Sequence, residues 1–282
     1  MLFVSPKKQN RQYMKKLGII AAKGDLSKNF IDYSKDNYEL FIVAINGITD
    51  PALVQDSKFI WIDIGEIGKA IDFFKENNVE ELVFVGSLAK PDLFSLKTDM
   101  MGAKLLAKIT KDAIFGDNKI LSSLVEFLES NELKVLGVHE ILKTLVVNAA
   151  VFTKISPNEQ DNNDIEIAKQ VVKELGALDI GQGVIVQNGI ILGVEAIEGT
   201  DQLIKRCGEL KRSKILSGIL LKASKPNQEL RVDLPAIGIE TIKNMKEAGF
   251  KGIAIEAQRS IFLNQDEVIK FANKNKMFVL AF

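Results

Sequence analysis

Short apolar segments alternate with longer segments of helical periodicity through the first half of the chain. The apolar segments have the length of strands and comprise residues 17–21, 40–45, 59–62, 82–85 and 135–138. Between them, residues such as Ile67, Ala70, Ile71 and Phe74 recur at the spacing that forms one apolar helix face. This alternation predicts a mostly parallel sheet covered by helices, and such sheets bind ligands beyond the carboxyl ends of their strands.

The second half follows a polar segment, residues 156–164, that contains no aliphatic side chain. This segment is either an interdomain linker or a loop that leads into a helix over residues 165–175. Two later apolar segments, 184–186 and 190–194, flank Asn188-Gly189, a dipeptide typical of a tight hairpin turn. The remaining pattern predicts a helix from Asp201, a strand at 215–221, a helix at 242–248, a strand at 252–255 and a final helix and strand.

These patterns together predict an α/β protein of two domains, for which 282 residues are sufficient. Residues 1–13 are predicted to be an extension of the fold. Residues 14–148 are predicted to form an N-terminal Rossmann-like domain with a parallel sheet. Residues 149–282 are predicted to form a C-terminal mixed α/β domain with at least one antiparallel hairpin.

Composition narrows the class of protein and its compartment. Lys and Arg number 37, as do Asp and Glu, so the formal net charge is zero and no nucleic-acid partner is expected. The single cysteine, Cys207, rules out an internal disulfide and fits a reducing compartment. No segment approaches the roughly 18 apolar residues of a membrane span, and the amino end has no apolar signal core. We therefore expect a cytoplasmic protein.

Several catalytic classes are excluded by missing residues. The single histidine, His139, excludes zinc sites built on several histidines and the histidine-aspartate two-metal cluster of metallophosphoesterases. Neither a P-loop motif nor a G-x-G-x-x-G motif occurs. The chemistry must therefore use carboxylates, lysines, arginines and amides, with or without a hard metal ion.

Two predicted strand ends in the first half carry small and polar residues. Ala22, Lys23 and Gly24 follow the first strand, where small residues and a helix N-terminus allow an anion to approach the backbone. Gly86, Ser87 and Lys90 follow another strand, where the backbone offers donors and the lysine offers charge. The alternative for both is an ordinary turn, capped in the first case by Asp25.

The densest polar group lies between residues 221 and 238. Lys222, Lys225, Arg231 and Asp233 occur together there, and three cations can neutralise a diphosphate while a carboxylate binds magnesium or accepts a proton. Upstream, the hairpin is followed by a set of acidic residues that are candidate metal or sugar contacts: Glu195, Glu198 and Asp201. The alternative is a solvated charge cluster, although an Asp-Leu-Pro sequence at the end of a strand, where we expect this one, is unusual in a plain surface segment.

From Met14 to Phe282 the chain resembles the UDP-2,3-diacylglucosamine pyrophosphatases of the two-domain type, which are unrelated to the metallophosphoesterases. The resemblance rests on five motifs: KLGIIAAKGDL, VGSLAKPDL, LDIGQGVIVQNGIILGVEAIEGTDQLI, GILLKASKPNQELRVDLPAIGIETI and GIAIEAQ. One departure is visible, because the family's first turn is usually richer in glycine than Ala21-Ala22-Lys23-Gly24.

The resemblance implies hydrolysis of UDP-2,3-diacylglucosamine to 2,3-diacylglucosamine 1-phosphate and UMP in lipid A biosynthesis, with Mg²⁺ or Mn²⁺ as cofactor. It implies that Asp233, the aspartate of the Asp-Leu-Pro motif, is essential to catalysis. We expect substrate contacts from Ala22, Lys23, Gly24, Gly86, Ser87, Lys90, Lys222, Lys225 and Arg231, and metal contacts from Asp233, Glu195, Glu198 and Asp201. The alternatives are a noncatalytic nucleotide-sugar or lipid-binding protein and a sugar-phosphate phosphotransferase.

A substrate with two acyl chains resides mainly in a membrane. We therefore expect transient contact with the surface of the inner membrane, assisted by basic residues near the amino end: Lys7, Lys8, Arg11, Lys15 and Lys16. Phe94, Met100, Met101 and Leu105 line either an acyl groove or a plain core. A second copy of the chain is a further expected partner.

Overall fold

The computed structural model describes residues 14–88, 92, 95–112, 117–211 and 215–282. These residues form two compact units. The first unit contains the described residues up to 112 together with residues 120–141. The second contains residues 142–282, as far as they are described, and residues 117–119.

Within the described residues, the first unit contains a parallel sheet of five strands in the order β3-β2-β1-β4-β5. Its elements are β1 (Lys15–Ala21), α1 (Asp25–Ser34), β2 (Tyr38–Ile45), β3 (Lys58–Ile62), α2 (Ile67–Glu76), β4 (Glu81–Val85), α3 (Met100–Asp112), α4 (Asp117–Glu129), β5 (Lys134–Leu136) and α5 (Val138–Ile141). The strand order reverses between β1 and β4, as in doubly wound sheets. The predicted Rossmann-like domain is confirmed.

Close packing in this unit depends on Gly18 in the middle of β1. A Cβ at this position would lie 2.8 Å from Cε1 of Phe74 and 3.0 Å from Cβ of Leu82. The absence of a side chain therefore lets α2 approach the sheet, where Phe74 is fully buried.

The second unit contains, among the described residues, a mixed sheet of six strands in the order β6-β13-β11-β9-β7-β8. Its elements are β6 (Ala150–Val151), α6 (Glu159–Ala177), β7 (Gly183–Gln187), β8 (Ile190–Val194), α7 (Thr200–Leu210), β9 (Ile219–Lys222), β10 (Ala236–Ile237), α8 (Ile239–Glu247), β11 (Gly252–Ile255), β12 (Ile261–Phe262), α9 (Gln265–Lys274) and β13 (Phe278–Ala281). β9, β11 and β13 are parallel, whereas β7 runs antiparallel to β9 and β8. The predicted mixed domain is confirmed.

The central strands of this sheet are apolar because both of their faces are covered. Leu220 of β9 belongs to a core formed with α7, α8 and α9. Its neighbours Ile219 and Leu221 belong to a second core formed with α6. Successive side chains of a strand point to opposite faces, so a continuous apolar run is what a doubly covered strand requires.

Helix α6 begins earlier than the apolar pattern predicts. Asn158 caps it through a reciprocal pair of hydrogen bonds with Asp161, so most of the polar segment 156–164 is helical. Asp164 is buried and accepts hydrogen bonds from the backbone N–H groups of Asn188 at 2.8 Å and Gly189 at 2.7 Å. A helical turn whose buried face is built from carboxylates leaves no apolar periodicity to detect.

Other boundaries differ by a few residues. The strand expected at 215–221 is β9, which begins at Ile219 because Gly218 has a φ of +80°. The strand expected at 135–138 is β5, which ends at Leu136, and Val138 begins α5. The hairpin between β7 and β8 turns at Asn188 and Gly189, both with positive φ, as predicted.

Candidate active site

Lys222, the last residue of β9, is buried at the carboxyl end of the strand. Its Nζ donates to Oγ1 of Thr200 at 2.8 Å and to the carbonyl oxygen of Ala236 at 3.2 Å. Oγ1 of Thr200, in the first turn of α7, donates in turn to Oε1 of Glu195 at 2.7 Å. A hydroxyl therefore connects the lysine ammonium to the glutamate carboxylate.

Glu195 has one carboxylate oxygen with no partner. The residue is 6% exposed, and its buried Oε2 has no hydrogen-bond partner among the described residues. A Cβ at Gly183 would lie 2.6 Å from Oε2, and a Cβ at Gly181 would lie 2.0 Å from the carbonyl oxygen of Glu195. Gly183 leaves room for the carboxylate of Glu195, and Gly181 leaves room for its backbone carbonyl group. Because an unpaired buried carboxylate oxygen is costly, Oε2 is a candidate acceptor for a cation, a water or a ligand donor.

Asp233 lies in the segment that joins β9 to β10, well after the end of β9. The prediction that the Asp-Leu-Pro motif stands at the end of a strand is therefore wrong. The backbone N–H of Asp233 donates to the carbonyl oxygen of Glu229 at 3.0 Å. Its Oδ2 accepts a hydrogen bond from Nε2 of Gln228 at 2.5 Å.

The pKa of Asp233 is raised above the ordinary value for an aspartate, and the main cause is burial of the carboxylate. The hydrogen bond from Gln228 and the charges of Lys225 and Lys222 oppose this shift, whereas the charge of Glu195 adds to it. Two ammonium groups and a second carboxylate therefore act electrostatically on Asp233. We call Asp233, Glu195, Lys222, Lys225 and Gln228 the Asp233 site.

Lys225 is held from several directions. Its Nζ lies 2.5 Å from Oδ1 of Asp179, and both side chains are largely buried. Its backbone N–H donates to Oε1 of Gln228 at 2.7 Å, and Nε2 of Gln228 also donates to Oε1 of Gln182 at 3.2 Å. Gln228 thus orients the backbone of Lys225 and the carboxylate of Asp233 with one side chain.

Arg231 forms a bidentate pair with a carboxylate of its own segment. Its Nε and Nη2 lie 2.8 Å from Oε1 and Oε2 of Glu229, respectively. This pair holds the pKa of Glu229 below its usual range. Arg231 therefore stabilises the conformation of the segment that carries Asp233, and the charge of Arg231 is balanced by Glu229.

Of the three acidic candidates, Glu195 acts electrostatically on Asp233, whereas Glu198 and Asp201 are hydrogen-bonded to other residues. Oε1 of Glu198 accepts from Nη2 of Arg206 at 2.8 Å, and this pair lowers the pKa of Glu198. Oδ1 of Asp201 accepts from Nδ2 of Asn244 at 2.9 Å.

The donors present suit a hard divalent ion that is shared with a phosphate. No group of three or more metal-binding side chains occurs among the described residues. Mg²⁺ typically takes one or two carboxylates, keeps several waters and completes its shell with substrate phosphate oxygens. Asp233 and the unpaired oxygen of Glu195 are donors of the type that Mg²⁺ takes, and Glu195 and the buried Lys222 and Lys225 act electrostatically on Asp233.

The two turns expected to bind substrate in the first unit bond to each other. The N–H of Ala22 donates to the carbonyl oxygen of Val85 at 2.8 Å, and the N–H of Ser87 donates to that of Lys23 at 2.9 Å. A Cβ at Gly86 would lie 2.3 Å from Oγ of Ser27, so this glycine permits the close approach. The N–H of Ser87 therefore already has a hydrogen-bond acceptor within the protein.

The structure describes some of the remaining candidate residues, and others lie outside the described part of the chain. Gly24 has a φ of +106° and open space on its Cβ side, and it precedes α1. Leu105 is buried, whereas Met100 is exposed. Lys90, Phe94 and residues 1–13 lie outside the described residues.

Sequence reasoning misses the uncharged and paired side chains that support the site. Gln228 and Gln182 carry no charge, so a search for clustered charges does not find them. Glu256 accepts from the N–H and Oγ of Ser224 at 2.8 and 2.6 Å, and so fixes the residues that follow β9. Its only sequence signal is its place in the GIAIEAQ motif. Asp179 carries no signal of its pairing with Lys225.

Comparison with known proteins places these residues in a family. The model of the LpxI N-terminal domain matches residues 16–145, and that of the LpxI C-terminal domain matches residues 148–280. The UDP-2,3-diacylglucosamine pyrophosphatase LpxI of Caulobacter vibrioides is 34% identical over 276 residues, covering 95% of this chain and 98% of that protein. The two matches together span nearly the whole chain, which therefore belongs to the LpxI family.

Proposed function

We propose that this protein hydrolyses the pyrophosphate bond of UDP-2,3-diacylglucosamine to give 2,3-diacylglucosamine 1-phosphate and UMP. The name and extent of the curated relative support the substrate and the reaction. The observation that carries the proposal is the Asp233 site, where the buried Glu195, with its unpaired Oε2, and the buried Lys222 and Lys225 all act electrostatically on the carboxylate of Asp233. Such a group suits a diphosphate that arrives with a divalent cation.

Asp233 and Glu195 would hold Mg²⁺ or Mn²⁺ together with phosphate oxygens of the substrate. When bound, the ion neutralises charge on the phosphates and lowers the pKa of a coordinated water. Glu198 and Asp201 are weaker candidate ligands, because the carboxylate of Glu198 is paired with the guanidinium of Arg206 and Asp201 is exposed and bonded to Asn244.

The chain's own residues supply position and charge for the hydrolysis. The oxygen of water bonds to one phosphorus, the bond from that phosphorus to the bridging oxygen breaks, and the electron pair leaves on the bridging oxygen. Asp233 would orient the water and accept its proton. Lys222 and Lys225 stabilise the charge that develops on the phosphate oxygens, and Gln228 keeps Asp233 in place.

The turns at Ala22–Gly24 and Gly86–Ser87, together with Lys90, are proposed contacts of the substrate's polar part. A helix N-terminus follows Gly24, and its unpaired N–H groups favour an anion. Arg231 is proposed to act through Glu229 on the conformation of the segment that carries Asp233.

The protein is proposed to visit the surface of the inner membrane, where its substrate resides, and to act in the cytoplasm. No helix in the described part of the chain is long and apolar enough to cross a bilayer. A homodimer is the proposed assembly, for which the edge strand β8, with its exposed Ile190 and Ile191, is a candidate contact.

The test is incubation of the purified full chain with UDP-2,3-diacylglucosamine and Mg²⁺, with separation of the products. Equimolar UMP and 2,3-diacylglucosamine 1-phosphate are expected. Binding of the substrate without products would favour a noncatalytic carrier. Transfer of phosphate to an added sugar, in place of water, would favour a phosphotransferase.

A further inference from the structure

Asn118 lies far from the Asp233 site in sequence, in the part of the chain that the LpxI N-terminal model matches. It stands in the first turn of α4, yet it clusters with the second unit. The first N–H groups of a helix have no partner within the helix, so they require an external acceptor. The backbone N–H of Asn118 finds one in Oδ2 of Asp179, at 2.8 Å.

Asp179 thereby receives two donors on its two oxygens. Oδ2 accepts the N–H of Asn118, and Oδ1 accepts Nζ of Lys225 at 2.5 Å. Asp179 follows α6 and has a φ of +56°, a conformation that costs energy for a residue other than glycine. The carboxylate that holds Lys225 is therefore itself held in place by the first turn of α4.

The side chain of Asn118 binds the segment that carries Asp233. Its Oδ1 accepts the N–H of Glu229 at 2.7 Å, and its Nδ2 donates to the carbonyl oxygen of Asn227. A side-chain amide offers both a donor and an acceptor, so it pairs with this backbone as a neighbouring strand would. The amide thus fixes the two residues on either side of Gln228.

The position of Glu229 is transmitted directly to Asp233. The carbonyl oxygen of Glu229 accepts the N–H groups of Val232 at 3.1 Å and Asp233 at 3.0 Å. Glu229 also holds Arg231 through its carboxylate. A shift of Glu229 would therefore move Asp233 and disturb the hydrogen bond from Gln228 to its carboxylate.

We infer that Asn118 is a positioning residue for hydrolysis: it holds residues 227–229 with its side chain, and Asp179 with its backbone N–H, so that Asp233 and Lys225 meet the diphosphate in a fixed arrangement. This inference rests on the proposed function, and its structural half can be measured without substrate. Displacements of about 1 Å in a catalytic group can cost roughly 10²-fold in rate, so a polar clamp away from the reacting atoms is sufficient to control turnover.

The test uses the full chain with Asn118→Ala and the isosteric Asn118→Asp, which replaces the amide donor by an oxygen facing the carbonyl of Asn227. The matched control is Asn131→Ala, because Nδ2 of Asn131 donates to the carbonyl oxygen of Phe127 at 2.8 Å near the other end of α4. Amide hydrogen exchange by mass spectrometry and the hydrolysis kinetics are measured for each variant.

Asn118→Ala is expected to accelerate exchange in the peptide that covers residues 227–233 and to lower kcat about tenfold or more, with a smaller change in KM. Asn118→Asp is expected to change both in the same direction. Asn131→Ala should change neither, even if its melting temperature falls by the same amount. Unchanged exchange in 227–233 for both Asn118 variants would overturn the inference, as would faster exchange with kcat within about twofold of the wild type.

The two proposals fail in different ways. If the wild-type chain binds but does not cleave the substrate, the proposed function fails, while the exchange measurement still decides whether Asn118 holds the segment. If Asn118→Ala does not fold, Asn118→Asp decides the outcome, since it conserves shape and the acceptor for Glu229.

Discussion

Asp233→Asn separates a chemical role of the carboxylate from a structural one. The amide has the same shape, and its oxygen can still accept the hydrogen bond from Gln228. The substitution removes only the charge, and with it the capacity to bind a cation or accept a proton. We expect a folded protein whose turnover is lost.

The magnitude distinguishes the two roles. A hydrogen bond to a charged acceptor contributes about 1.5–3 kcal/mol and one to a neutral acceptor about 0.5–1.5 kcal/mol, so weakening the Gln228 contact costs about 1–1.5 kcal/mol. A change of that size, carried entirely into the barrier, lowers the rate roughly five- to tenfold. Loss of a metal ligand or base lowers it roughly 10²-fold or more. The larger loss is expected.

The assay is release of UMP under single-turnover and steady-state conditions, with circular dichroism as the check on folding. Gln228→Glu is not a suitable control, because it adds a charge beside Asp233. A conservative substitution at Glu198, which pairs with Arg206, controls for the loss of an acidic group in the same unit. A folded Asp233→Asn variant with more than about a tenth of the wild-type rate would refute the chemical role, since a weakened hydrogen bond alone accounts for that.

The same variant has an expected pH signature in the metal-free protein. Because burial raises the pKa of Asp233, the native state keeps a proton in a pH range where the unfolded chain has lost it. The free energy of unfolding of the wild type therefore falls as pH rises through that range, and the asparagine variant lacks this contribution. The stability of the variant relative to the wild type should increase with pH.

Glu198→Gln is the matched opposite case, because Arg206 lowers the pKa of Glu198 in the native state. There the charge favours folding above the unfolded pKa, so the stability of the variant relative to the wild type should decrease as pH rises. Urea unfolding in chelator at several pH values measures both differences. Parallel profiles for wild type and Asp233→Asn would contradict the assigned burial of the carboxylate.

Three further results are expected. Chelation should abolish hydrolysis, and Mg²⁺ or Mn²⁺ should restore it. Glu195→Gln should weaken Mn²⁺ binding, measured by electron paramagnetic resonance in the presence of a UDP-sugar. Full activity in excess chelator after verified metal removal would exclude a role for the ion. Gly183→Ala should lower kcat, because its Cβ would lie 2.6 Å from Oε2 of Glu195, whereas Gly238→Ala, whose nearest contact would be 3.6 Å, should be tolerated; equal kinetics of the two would contradict the role of that space. In liposome flotation, the full chain should associate with anionic vesicles at low salt and less so at high salt or without residues 1–13, and a protein that never floats would exclude the membrane contact.

The fold could be predicted largely from periodicity because burial is regular in this chain. β9 and β11 are covered on both faces, so their apolar residues form continuous runs, and the parallel alternation in the first unit follows the same rule. Prediction failed where polar residues take up buried positions. Asp161 and Asp164 replace apolar residues in the first turns of α6, and each is satisfied by partners distant in sequence, Lys251 and the turn at Asn188.

The site was predictable only as far as charge is concentrated along the chain. Asp233, Lys222 and Lys225 stand close together in sequence, and this clustering favours a functional site over a solvated charge cluster. Glu195 is one of several equivalent acidic residues in the sequence, and only the unpaired oxygen beside Gly183 distinguishes it from Glu198.

The contacts of Asn118 could not be predicted from the local sequence pattern. It stands 111 positions before Glu229 in the sequence, its side chain is uncharged, and it lies on a helix whose residues from Ile120 onward belong to the other unit. A hydrogen-bonding amide needs only one correctly placed partner, so nothing in the neighbouring sequence has to change to create this contact. A catalytic carboxylate differs, because its charge must be balanced by nearby lysines that the sequence displays. Residues proposed to perform the chemistry are therefore easier to detect from sequence than the residues proposed to hold them in place.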